Sequence, residues 1–106
     1  MNKEIIDRIN KFNKDRDWDK FHSPVNLAKS ITLEAAELLE EFQWNDDNFS
    51  LDNVAEELAD IMIYCIQMTE KLELDIDKII MDKIDKNEEK YPVNLFKGSS
   101  RKYNNL

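Results

Sequence analysis

Apolar residues recur at helical spacing along four stretches of this chain. Ile5, Ile6, Ile9 and Phe12 form one stripe, so a helix is expected from about Lys3 to Lys14. Ser23 ahead of Pro24 offers a side-chain cap followed by a first-turn proline, and a second helix is expected from there to about Trp44. The cluster "NDDNFS" reads as a turn, after which Ser50 or Asp52 caps a third helix reaching about Leu72. Asp75 caps a fourth, which extends to about Lys90, and "YPVNLFKGSSRKYNNL" reads as an irregular tail. The pattern predicts an all-α fold, a single domain over residues 1–106, with the second and third helices packed antiparallel and no sheet. Neither a solenoid repeat nor a low-complexity linker interrupts it.

The polar positions raise a sharper question. Within "LEAAELLEEFQW", Glu34 and Glu37 are spaced by three residues; within "AEELADIMIY", so are Glu57 and Asp60. On an ideal wheel of about 100° per residue, Glu34, Glu37 and Glu41 flank the stripe of Leu27, Ile31, Leu38 and Phe42. Glu57 and Asp60 flank the stripe of Val54, Ile61, Cys65 and Met68 in the same way, with Tyr64 beside them. Packing along both stripes brings four carboxylates toward one another. Such a cluster needs protons or a hard divalent cation to relieve its repulsion. Oxygen-only donors suit Mg²⁺ or Mn²⁺ better than Zn²⁺, since no His or Cys shares the acids' side of the wheel. The plainer reading is a solvated acidic helix face, because acids at this spacing are common on helix surfaces.

Composition narrows the classes. The chain of 106 residues has one Gly and two Pro, a scarcity that suits long helices and few loops. Its formal net charge of -8 is unsuited to nucleic-acid backbones and anionic membranes, so neither partner is expected. The single Cys65 cannot form an internal disulfide, the charged N-terminus is no signal peptide, and no run is long enough to span a membrane. A cytoplasmic location is expected. Leu33, Leu39, Met62, Ile63 and Ile66 lie away from the shared stripe, and in so short a chain that is a signal for self-association.

Taken in order, "FHSPVNLAKSITLEAAELLEEFQW", "EELADIMIYC", "KIDKNEEKYPV" and "GSSRKY" resemble the all-α nucleoside triphosphate pyrophosphohydrolases, in the MazG-like and dCTP-pyrophosphatase branch. The resemblance runs from about Trp18 to Tyr103. It implies a four-helix MazG-like bundle that forms homo-oligomers, dimers pairing into tetramers with pockets drawn from more than one subunit. It implies cleavage of a nucleoside triphosphate between the α and β phosphates, with Mg²⁺ held by Glu34, Glu37, Glu57 and Asp60. Water is then the nucleophile, oriented by one of these acids or by Glu41 or Glu56; the sequence does not choose among them.

The same resemblance maps a nucleoside pocket to Trp18, Asp19, Lys20, Phe21, His22, Trp44 and Tyr64. Beside it, Asn26 is a candidate to hydrogen-bond a sugar or base edge, and Lys83, Asn87, Lys90, Arg101 and Lys102 are candidate donors to triphosphate oxygens. Each has a plainer role as well: Trp44 in a core or interface, His22 in packing or capping, the lysines on a solvated basic face. One departure stands out. The dCTP-specific branch carries a His in the first helix where this chain has Ile9, which puts cytosine or deoxyribose selectivity in doubt but not hydrolysis. Two other readings compete: a non-catalytic helical interaction module, and a phosphoribosyl-ATP pyrophosphohydrolase-like enzyme, which the Trp-rich loop disfavours.

Overall fold

The structure, a computed structural model, describes residues 1–44 and 47–99. They form five α-helices and a short 3-10 turn, with no strand among the described residues. The chain divides into two compact units, Met1–Leu74 and a second from Asp75 onward. No helix is long and apolar enough to cross a membrane.

The first unit holds α1 (Lys3–Asp15), the 3-10 turn (Asp19–Phe21), α2 (Pro24–Glu40) and α3 (Leu51–Lys71). Each α-helix begins on a side chain that satisfies an otherwise orphaned amide. Asn2 accepts from the Glu4 amide at 2.8 Å, Ser23 from the Asn26 amide at 3.2 Å and Ser50 from the Asn53 amide at 3.3 Å. The expected starts of α2 and α3 are therefore met, with Ser50 serving in preference to Asp52.

The expected end of α2 is corrected. It stops at Glu40, not Trp44, because the amides of Phe42 and Gln43 bond to the carbonyls of Leu39 and Glu40 at 3.0 and 3.2 Å. Those three-residue bonds tighten the last turn and release the chain. Phe42 then meets Phe49 with ring centroids 4.7 Å apart, which closes the connection to α3.

Two helix ends use an unexpected residue. Asp17 and Glu73 both sit at φ 56°, in the left-handed region that favours glycine. After α1, the Asp17 amide bonds to the Lys14 carbonyl at 3.1 Å and the Trp18 amide to the Asn13 carbonyl at 2.9 Å. After α3, Glu73 and Leu74 repeat the pattern on Glu70 and Thr69 at 3.2 and 2.8 Å. These are Schellman endings, and they commonly bring the residue after the left-handed one onto the helix it leaves. Here that residue is Trp18, whose ring stands edge-on to Phe12 at 5.5 Å.

The helices of this unit pack α2 on α3 and α1 on α3. Phe42 meets Phe49, Glu34 meets Glu57, and Leu27 shares a cavity wall with Gln67. Each step back along α2 is matched by a step forward along α3, so the two run antiparallel as expected. The apolar centre is small. Leu27 is 1% exposed and Ile66 5%, whereas Leu33, Leu39 and Met62 lie exposed.

The second unit contains α4 (Ile76–Lys90), capped by Asp75 on the Lys78 amide at 3.1 Å, and α5 (Val93–Phe96). The tail is thus not wholly irregular, and α5 corrects that expectation. Pro92 supplies the carbonyl for the Leu95 and Phe96 amides, Phe96 packs edge-on against Tyr91 at 5.0 Å, and Gly98 at φ 78° ends the turn.

Asp17→Val should destabilise the protein by about 1–2 kcal/mol, since a β-branched residue resists positive φ, while Asp17→Gly should hold or raise the melting temperature. Thermal melts of both variants beside the parent check this; an unshifted melt for the valine variant would rule out the left-handed turn.

Candidate functional site

The antiparallel register puts the acid pair of α2 against that of α3. Carboxylate oxygens of Glu34, Glu37 and Glu57 all lie within 4.8 Å of one another. Asp60 follows one turn along α3, and its charge is felt at both Glu34 and Glu57. Of the two expected pairs, Glu34, Glu37 and Glu57 converge, and Asp60 acts on them through its charge.

Electrostatics at this cluster is unfavourable when every acid is ionised. Oε2 of Glu34 and Oε2 of Glu57 are buried without a hydrogen-bond partner. The ion pairs of Lys11 with Asp15 and of Lys20 with Asp17 involve other residues. Burial raises the Glu34 carboxyl to about 7, with further upward pushes from the facing Glu37 and Glu57 and the charge of Asp60. Burial also raises Glu57, assisted by Glu37 and Asp60, while a proton shared with Glu34 acts the other way. Orphaned buried acceptors are costly, and three converging carboxylates form a hard, oxygen-only donor set. That set fits a divalent metal ion.

Beside the acids opens a groove of about 490 Å³ between α1 and α3. Ile5, Ile9, Phe12 and Ile63 supply apolar walls, Trp18 and Tyr64 supply rings, and Asp60, Arg8 and Gln67 supply polar groups. Asp60 therefore borders both the acid cluster and the groove. Arg16 lies over the Phe12 ring at 3.7 Å and donates to the Phe12 carbonyl at 3.1 Å, which braces that wall from the end of α1.

Other nominated residues have different surroundings. Asp19 and His22 line a second cavity of about 390 Å³ with Asn10, Asn13 and Gln67, and Nδ1 of His22 is buried there without a partner. Asn26 donates to the Phe21 carbonyl at 3.0 Å and so fixes its own loop. The Lys20 ammonium stands 5.2 Å from the centroid of the Phe21 ring, and Phe21 is itself exposed. Trp44 is 90% exposed and is not part of the groove wall. Glu56 is exposed on α3 and Glu41 half-buried just past α2. Lys83, Asn87 and Lys90 belong to α4 in the second unit, and Arg101 and Lys102 lie outside the described residues. Arg8, Phe12, Ile63 and Gln67 were not nominated from sequence. The periodicity marks Phe12 and Ile63 only as apolar helix positions, and nothing in the local pattern marks Arg8 or Gln67.

The raised carboxyls give a signed pH dependence. Between its ordinary value of 4.5 and about 7, folded Glu34 holds a proton that the unfolded chain has lost. Stability of the metal-free protein should therefore fall as pH rises through that window and level off above it. Chelator-treated protein should melt higher at pH 5 than at pH 8, and Glu34→Gln should flatten the difference. Added Mg²⁺ should raise the melt chiefly at the higher pH, where the acids are ionised. Thermal scans across pH, with chelator and with Mg²⁺, measure all three effects.

The MazG-like family pattern matches residues 29–106. Over 113 aligned residues the chain is 34% identical to dCTP pyrophosphatase 1 of Mus musculus and 34% identical to that of Homo sapiens. Each match covers 97% of this chain, which spans 66% of the length of each mammalian protein. A crystal structure of a pyrophosphatase from Archaeoglobus fulgidus superposes with a TM-score of 0.76 at 39% identity, covering 85% of this chain and 91% of that one. With the paired acids on adjoining helices and these matches along nearly its whole length, the chain belongs to the MazG-like family.

Proposed function

We propose that this protein is a divalent-metal-dependent nucleoside triphosphate pyrophosphohydrolase, releasing pyrophosphate and a nucleoside monophosphate. The observation that carries the reading is the contact of the converging carboxylates of Glu34, Glu37 and Glu57 with a ring-lined groove through Asp60. A base held in the groove would project its phosphates toward the acids. The named relatives, pyrophosphatases from an archaeon and from mammals, support the same chemistry.

In this reading Glu34, Glu37, Glu57 and Asp60 hold Mg²⁺, or Mn²⁺. The bound ion neutralises phosphate oxygens and charge developing at the attacked phosphorus. Trp18 and Tyr64 stack on or flank the base, for which each ring is worth roughly 1–3 kcal/mol. Ile9 makes the groove more apolar at the position where the dCTP-specific branch carries a histidine. Water is the nucleophile, and one acid of the set, or Glu41 or Glu56, holds its proton. Lys83, Asn87, Lys90, Arg101 and Lys102 are assigned to the triphosphate. The exposed Leu33, Leu39, Met62 and Trp44 are assigned to contacts between copies in a homo-oligomer, a dimer of dimers. Trp44 would then reach a base only in the assembled form.

A panel of nucleoside triphosphates with Mg²⁺ and with chelator tests the activity; pyrophosphate release that ignores chelator would sink the reading. Asp60→Ala should abolish metal-dependent turnover and leave the fold intact by circular dichroism. Trp18→Ala should raise KM at least about tenfold with a smaller loss of kcat, because stacking acts alike on ground and transition states. Light scattering at micromolar concentration should give a mass well above the 12.6 kDa chain; a fully active monomer would refute the shared-pocket arrangement.

A further inference from the structure

Phe12 and Trp18 form a ring wall of the groove, yet burial alone does not hold them there. Phe12 is 46% exposed and Trp18 44%. Their rings meet at 77° with centroids 5.5 Å apart, so the wall has one defined shape that contacts outside the core must keep. The backbone between the two rings closes on the end of α1. Terminal carbonyls of an α-helix have no partner within it. Here the Lys14 oxygen accepts from the Asp17 amide at 3.1 Å and the Asn13 oxygen from the Trp18 amide at 2.9 Å. The Phe12 oxygen accepts from Nη1 of Arg16 at 3.1 Å. The same guanidinium lies over the Phe12 ring, its carbon 3.7 Å from the centroid. Arg16 thus holds Phe12 at main chain and ring together, while standing outside the groove lining itself. A guanidinium suits this task because it is planar, always charged, and able to stack and donate at once.

Resting on the proposed activity, we infer that Arg16 is a positioning residue for the base: from outside the groove it sets nucleotide affinity by fixing Phe12, and through Phe12 the Trp18 ring, in the arrangement on which a base stacks. Without Arg16 both half-exposed rings regain rotamers, and a base must order them again when it binds. That cost falls on ground and transition states alike, so it appears in KM and not in kcat. Arg16 follows the last residue of α1, and the Asp17 and Trp18 amides bond to their carbonyls without its side chain. Its replacement should therefore loosen the rings and leave the turn in place.

Arg16→Ala, Arg16→Met and Arg16→Lys test the inference. Far-UV circular dichroism checks the fold. Near-UV circular dichroism in a Trp44→Phe background, where Trp18 is the remaining tryptophan, reports the ring arrangement. Steady-state kinetics on the triphosphates and calorimetric binding of dCMP, dUMP, dAMP and dGMP, all with Trp44 retained, report the function. The alanine and methionine variants should keep the helical signal, lose at least about half of the Trp18 band, and raise KM about fivefold with kcat within about twofold of the parent. Arg16→Lys keeps the charge and a donor but not the planar fork, and should fall between the parent and Arg16→Ala on every readout. It carries the same comparison if the alanine variant fails to fold. An unchanged Trp18 band in the folded variants, or a loss confined to kcat, overturns the inference. Weaker monophosphate binding by the variants, with no triphosphate turned over by the parent, would uphold it and sink the catalytic reading. Turnover with KM untouched would do the reverse, and neither binding nor turnover in the parent would sink both.

Discussion

Three carboxylates forced together by the packing of two helices are the constraint around which the first unit is organised. Glu34 and Glu57 flank apolar stripes that must be buried, so the acids cannot retreat to solvent without unpacking α2 from α3. The hydrophobic contact and the electrostatic penalty are thus two sides of one interface. A cluster of this kind stores a preference for positive charge before any ligand arrives, and protons and metal compete for it.

The groove depends on the same interface at one remove. Asp60 and Tyr64 reach it because α3 is fixed against α2, Phe12 because α1 packs on α3, and Trp18 because α1 ends in a left-handed turn at Asp17. The ring pair of Trp18 and Phe12 is the apolar contact that accompanies such an ending. A backbone feature of one residue therefore aims an aromatic wall of the candidate site.

Much of this was legible in the chain because it rests on side-chain chemistry at short range. Ser23, Ser50 and Asp75 announced helix starts, and the three-residue spacing of Glu34, Glu37, Glu57 and Asp60 announced the acid cluster. The helix ends were harder to read. Asp17 and Glu73 occupy positions where glycine is the usual signal, and α2 ends at Glu40 through backbone bonds that no residue type marks. The groove was half legible. Trp18 and Tyr64 could be nominated from the resemblance, but Arg8 and Gln67 join them only because α1 is laid against α3, a contact with no periodic signature.

The antiparallel register of α2 and α3 also bears on how such a protein can change over evolutionary time. Which acids meet is decided by the lengths of helix between Glu34 and the end of α2 and between the start of α3 and Glu57, not by the connection joining them. Lengthening a loop costs only about 0.6 kcal/mol per doubling. Insertions between Gln43 and Asn48 would leave the acid cluster in place, whereas one residue added within either helix would turn an acid out of it. The hairpin loop is thus open to lineage-specific elaboration, and the two helical arms are not.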